Sequence, residues 1–97
     1  MRHDIVFAPE AVNELRTLPA RDRAAIRDAI EVHLRHEPAR LSRTRIKRLR
    51  GFRKPQFRLR VDNYRVFYDV RQGIVEVLAV VEKPTANEWL EAEGEAE

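Results

Sequence analysis

Cysteine is absent from the 97 residues, so neither a disulfide nor a thiolate metal site can form. That absence fits a reducing cytoplasm, the compartment expected for this chain. No apolar run approaches the roughly 20 residues needed to span a bilayer, and His3 and Asp4 interrupt the apolar build-up that a signal peptide requires. No membrane partner is therefore expected. Serine occurs once, at Ser42, and glycine three times, which leaves neither a serine-nucleophile motif nor a glycine-rich phosphate loop. No cofactor is expected either.

What remains is one small domain spanning residues 1–97, with 43% hydrophobic and 36% charged residues. The net charge of +3 conceals an asymmetry. Five glutamates and no base occupy the last ten residues, so residues 1–87 hold nineteen bases against eleven acids, a balance of +8. The charge concentrates further between Arg40 and Arg65, where eleven bases stand against Asp62 alone. Such a field favours a polyanionic partner, nucleic-acid phosphate above all.

Asp4 to Phe7 reads as a first strand. Pro9 suits a first helical turn, and Ala11, Val12, Leu15 and Leu18 follow with helical spacing until Pro19 interrupts. A second helix opens between Ala20 and Asp22, carries Ile26, Ala29, Ile30, His33 and Leu34 on one stripe, and stops before Pro38. The basic connector, residues 39–55, has Ile46 and Leu49 as anchors; its form, whether strand, extended loop or helical turn, is open. Thr85-x-x-Glu88 reads as a capping box for a last helix holding Trp89 and Leu90, and the acidic tail, about residues 91–97, is expected to fray.

Residues 56–68 alternate apolar and basic side chains about a turn dipeptide, the pattern of a half-buried hairpin. A two-residue turn at Asp62-Asn63 sets Val61 opposite Tyr64, Leu59 opposite Val66 and Phe57 opposite Tyr68. A second turn at Gln72-Gly73 sets Val70 against Val75, Tyr68 against Val77, Val66 against Ala79 and Tyr64 against Val81. All of these share one core face. The other face pairs Arg60 with Arg65 and Arg58 with Phe67.

Arg60 opposite Arg65 is a repulsive pair. Either both groups splay into water, offset by Asp69, Glu76 and Glu82, or the site tolerates repulsion because its ligand is an anion. Arginine suits the second role, since its planar fork grips phosphate bidentately and keeps its charge. Phe67, Leu78 and Val80 on this face either floor a base or seat another segment. His33 and His36, one turn apart, lack a third ligand and read as structural. Lys83, just past the last strand, is placed for proton transfer or phosphate contact.

Leu49-Arg50-Gly51, Phe57-Arg58-Leu59-Arg60, Tyr64-Arg65-Val66-Phe67-Tyr68 and Val75 to Val81 together resemble the RelE/ParE superfamily of type II toxin–antitoxin toxins. The resemblance starts at Phe7-Ala8-Pro9-Glu10-Ala11 and covers nearly the whole chain. It implies an α+β fold ordered β-α-α-β-β-β-α, with an antiparallel sheet packed on an N-terminal helical hairpin. It also implies a toxin that inhibits translation by ribosome-dependent cleavage of messenger RNA, an endoribonuclease (mRNA interferase). The alternative is a non-catalytic inhibitor of DNA gyrase, as in the ParE branch, or of the ribosome. By position, the resemblance makes Arg58 and Arg65 catalytic groups and Arg60 the nearby strand arginine; where the family usually has another arginine and a late tyrosine or histidine after the last strand, Lys83 is the only base. The expected site is therefore Arg58, Arg65 and Lys83 as catalytic groups and Arg50, Lys54 and Arg60 as phosphate-binding ones, with no metal. The partners implied are a cognate antitoxin, the ribosome with its message, and operator DNA through the antitoxin complex.

Overall fold

Proline and hydrophobic spacing divide the first third of the chain as expected. In a computed structural model describing residues 1–97, strand β1 (Asp4–Phe7) leads into helix α1 (Pro9–Thr17), which has proline in its first turn. Pro19 then separates α1 from helix α2 (Ala20–Leu34). Ala11 and Leu15 of α1 and Ile26, Ile30 and Leu34 of α2 are buried and form one side of the core. Each such large aliphatic side chain removed from water contributes about 1.5–3 kcal/mol.

The basic connector contains two short strands, β2 (Ile46–Arg48) and β3 (Phe52–Lys54). Strands β4 (Phe57–Val61), β5 (Tyr64–Arg71) and β6 (Ile74–Glu82) make the meander. A 3₁₀ turn (Lys83–Thr85), helix α3 (Ala86–Glu93) and strand β7 (Glu95–Ala96) complete the chain. The expected hairpin, meander and last helix are all present, with three short strands added. The main sheet runs β1-β6-β5-β4-β2, and it is mixed, because β1 pairs parallel to β6.

The β4–β5 register is the one predicted, with Leu59 opposite Val66 and Arg60 opposite Arg65. Asp62 alone of the turn pair takes a positive φ, at 49°. The β5–β6 register holds only as far as Tyr68 opposite Val77. Beyond it Phe67 faces Ala79, Val66 faces Val80 and Tyr64 faces Glu82, so the predicted Val66–Ala79 and Tyr64–Val81 pairs do not form. Leu78 is the extra residue of a β-bulge, and a one-residue slip exchanges the faces of everything after it. Val80 therefore joins the inner core, while Ala79 and Val81 turn outward beside Phe67. The Glu14 carboxylate of α1 accepts the Val80 N–H at 2.7 Å, tying the helical hairpin to the slipped segment.

Two further expectations change. The capping box does not form; the Thr85 hydroxyl donates instead to the Glu82 carbonyl at 3.0 Å, inside the 3₁₀ turn. The tail, expected to fray, pairs with β3 as β7. Arg53 and Glu95 form an ion pair at 2.6 Å, and the Glu97 N–H donates to the Gly51 carbonyl at 3.1 Å.

Candidate nucleic-acid interface

Pleating sends Leu59, Val61 and Val66 into the core and leaves their neighbours on the outer face, turned away from the helical hairpin. Along one cross-strand row Lys47 of β2 faces Arg58 of β4, which faces Phe67 of β5. In the next row Arg60 faces Arg65. Phe67 is fully buried and stacks on Trp89 of α3, with centroids 4.9 Å apart and planes 8° from parallel. Of the two roles open to Phe67, it therefore seats another segment. Leu78 lies by a separate groove beside Pro9, Pro55 and Trp89.

Helix α3, held by that stack, forms one wall of a cleft of about 490 Å³. Six basic residues line it, Lys47, Arg48, Arg50, Arg58, Arg65 and Lys83, although the Arg48 guanidinium itself lies 5.2 Å over the Phe57 ring of the inner face. Leu49, Phe67, Ala86, Asn87 and Leu90 supply the remainder, and no carboxylate is among them. None of the five ion pairs in the chain involves a cleft residue. The offset expected from Asp69 and Glu76 does not reach the cleft. Asp69 accepts the Gln56 N–H at 2.7 Å, and Glu76 takes Arg71 at 3.6 Å and Lys54 at 4.0 Å.

Arg65 is 6% exposed, and its Nη1 donates to the carbonyls of Asp62 at 3.1 Å and Tyr64 at 2.8 Å. Those bonds fix the guanidinium at the hairpin end. Arg58 is half-buried, and its Nε is buried with no hydrogen-bond partner. Loss of hydration, followed by repulsion from other arginines, pulls the pKa of both groups down. Arginine nonetheless stays cationic at neutral pH. A buried donor without an acceptor costs about 1–3 kcal/mol. An anion entering this cleft offsets the mutual repulsion. Chemically, the arrangement can hold a phosphate and stabilise charge developing on it.

Five of the six residues predicted from sequence gather here. Arg50, Arg58, Arg65 and Lys83 line the cleft. Lys83 is positioned by its own N–H, which donates to the Asn63 carbonyl at 2.8 Å. Arg60 is exposed at the rim, close enough to bear on both Arg58 and Arg65. Lys54 is the exception and is withdrawn from the site. Gly51, at φ +84°, turns the chain, β3 leaves the main sheet to pair with β7, and Lys54 ends beside Glu76. Lys47, Arg48 and Asn87 were not singled out in the sequence. The signal for Lys47 was its place next to Ile46, one of the two anchors of the basic connector. His33 is half-buried on α2, its pKa lowered by burial and then by Arg45, and no cluster of three or more metal-binding side chains forms. No helix is long and apolar enough to cross a membrane.

Solved structures share this architecture. The chain is similar to a chain of the archaeal RelE–RelB complex from Pyrococcus horikoshii OT3, at 21% identity and TM-score 0.70, over 86% of this chain and 97% of that one. It is also similar to a chain of the toxin–antitoxin complex RelBE2 from Mycobacterium tuberculosis, at 27% identity and TM-score 0.67, over 84% and 99%. A mutant of E. coli RelE in the free state matches at 26% identity and TM-score 0.67, over 91% and 90%. No curated protein matches the sequence significantly. The family model for the ParE toxin of type II toxin–antitoxin systems, parDE, matches residues 5–83, the stretch from β1 to Lys83 that contains every cation of the cleft. The chain therefore belongs to the ParE toxin family of type II toxin–antitoxin systems.

Proposed function

We propose that this toxin inhibits translation by binding messenger RNA in the outer-face cleft and cleaving it on the ribosome. The observation that carries the reading is the carboxylate-free cleft itself, with half-buried Arg58 beside the fixed guanidinium of Arg65. A 2′-hydroxyl, losing its proton, attacks its neighbouring phosphate and displaces the 5′-oxygen of the next nucleotide, which takes up a proton; the product is a 2′,3′-cyclic phosphate, and negative charge builds on the non-bridging oxygens on the way. Arg58 and Arg65 offset that charge, and Arg50 and Lys47 hold the flanking backbone. Lys83, an exposed amine on the 3₁₀ turn, is the group assigned to proton transfer. Arg60 contributes at the rim.

A toxin of this kind needs a neutralising partner. Three of the similar solved structures are complexes of RelE with RelB. An acidic segment folding over the basic cleft is the form such a cognate antitoxin takes here, with operator DNA reached through the complex. The work is done in the cytoplasm, where ribosomes and messages are.

A second reading has an observation of its own. No histidine, tyrosine or carboxylate lines the cleft, so every proton transfer falls to lysine or arginine. A non-catalytic inhibitor of DNA gyrase or of the ribosome needs no such transfer. Inducing the gene and mapping message 5′ ends by primer extension, alongside a gyrase supercoiling assay with purified protein, separates the two. New 5′ ends within codons, lost on Arg65→Ala, support cleavage. Intact messages together with blocked supercoiling support the second reading.

A further inference from the structure

The wall of the cleft opposite the sheet is one helical stripe. Lys83, Asn87 and Leu90 follow one another at helical spacing along the 3₁₀ turn and α3, and all three line the cleft. Asn87 is exposed, and no hydrogen bond within the chain engages its carboxamide. Exposure alone would be ordinary for asparagine; its place inside the basic cleft is what sets it apart. Lysine and arginine only donate, whereas a carboxamide donates through Nδ2 and accepts through Oδ1. Asn87 is therefore the sole side-chain acceptor in a cleft otherwise lined by donors and apolar groups.

Two apolar side chains come to the same cleft from different segments. Leu90 belongs to α3, and Leu49 to the link between β2 and β3, where its N–H donates to the Gln56 carbonyl at 2.9 Å. Both are half-buried and pack on the Phe67 cluster.

A phosphate needs neither the acceptor nor the apolar surface. Its oxygens only accept, so the cations hold the backbone alike whatever the sequence. A base has flat faces and an edge that mixes donors with acceptors. Resting on the RNA reading of the cleft, we infer that Asn87 reads the base of one nucleotide in the decoding-site codon, and that this base is adenine. The adenine N6 amine donates to Oδ1 while Nδ2 donates to N7, a bidentate pairing that suits a carboxamide. On that edge guanine offers two acceptors, O6 and N7, which leaves Oδ1 against O6. Cytosine and uracil have no nitrogen in the place of N7. Leu49 and Leu90 give the ring an apolar surface. Lys83 stands one turn before Asn87 on the stripe, so the nucleotide read flanks the bond that is cut. Asn87 sets specificity, and bond breaking stays with Arg58, Arg65 and Lys83.

The test stalls ribosomes on messages in which each position of the decoding-site codon is in turn A, C, G or U. Cutting rates are measured for the parent, Asn87→Ala and Glu88→Ala. Glu88 is exposed on the same turn of α3 outside the cleft, so its variant controls for a change to the helix surface. At one position the parent should cut the adenine message about fivefold to a hundredfold faster than the guanine message. In Asn87→Ala the ratio should fall to within about twofold, and in Glu88→Ala it should stay parental. A ratio between messages for one protein cancels any uniform loss of activity, so a merely structural role for Asn87 does not reproduce this result.

If Asn87→Ala keeps the parental ratio, or slows every message alike, Asn87 does not read the base, and the cleavage reading stands. If the parent cuts without regard to base, or favours a base other than adenine, the inference is again overturned while cleavage survives. If the parent cuts no message, the inference falls together with the reading beneath it.

Discussion

Arg60 lies directly across the β4–β5 ladder from Arg65, one exposed and one buried, with no ion pair to either. Like charges so placed repel, and the cost is about 0.5 kcal/mol. Replacing Arg60 by glutamine is therefore expected to raise the unfolding midpoint slightly while weakening growth arrest on induction. Stability and toxicity should move in opposite directions. Denaturant titration and colony counts on the same variant check this, and a loss of both would mean that Arg60 has a structural role.

Helix α3 is a wall of the cleft only because Trp89 lies on Phe67. Trp89→Ala removes that stack and about 2–3 kcal/mol of stability, less than a fully buried tryptophan because Trp89 is half-exposed. Urea unfolding monitored by circular dichroism gives the number. The same change should reduce RNA affinity, since Asn87 and Leu90 lose their place.

Gly94 ends α3 at an ordinary φ of −71°, so space and not backbone freedom requires glycine there. A Cβ would meet the Leu90 carbonyl at 2.6 Å and the Phe52 ring at 2.7 Å. The ring can shift, whereas the helical carbonyl cannot follow without distorting α3. Gly94→Ala is expected to cost about 1–3 kcal/mol and to increase hydrogen exchange at Phe52 and Ala96, where β3 pairs with β7.

Gln72 holds φ at 49° and is followed by Gly73 at 79°. Both central residues of this hairpin turn are left-handed, the arrangement that asparagine-glycine adopts most readily. Gln72→Asn is predicted to stabilise the fold by about 0.5–1 kcal/mol. For a domain of this size that corresponds to a rise of about 2–8 °C in Tm. A scan that shows a decrease would contradict the assigned turn.

Burial raises the pKa of Glu14 above the ordinary carboxylate range, with Glu10 adding to the shift, while its bond to the Val80 N–H lowers it in part. Burial likewise raises that of Asp69. A carboxyl group raised in this way supports folding most fully below its unfolded pKa, and that support fades as pH climbs through the folded value. Glu14→Gln keeps an acceptor for Val80 without the charge. The variant should match the parent near pH 4 and exceed it in Tm at pH 7, with the difference opening between them. A constant difference at all pH values would show that ionisation of Glu14 is not the cause.

Much of this was legible in the sequence because its signals are local. Pro9, Pro19 and Pro38 mark the helical hairpin, and the alternation of residues 57–61 fixes which side Arg58 and Arg60 occupy. The bulge at Leu78 was not legible. Val77 to Val81 is apolar on both faces, so a one-residue slip leaves no trace in hydrophobicity, and the Glu14 contact that accompanies it comes from 66 residues away. Lys54 was misplaced for a similar reason. Its neighbours Arg53 and Pro55 give no sign that β3 abandons the main sheet for a two-residue partner near the chain's end. The acidic tail looked like solvated charge until Arg53 was available to receive Glu95.

The most direct measurement adds purified toxin to ribosomes stalled on a defined message and quantifies cut RNA over time. The parent should generate fragments ending within the codon in the decoding site, and Arg58→Gln and Arg65→Lys should each slow their appearance by about a hundredfold or more, as loss of a charge-stabilising donor does. Fragments produced at the parental rate by both variants would contradict the account, because the two guanidiniums at the heart of the cleft would then have no part in the reaction.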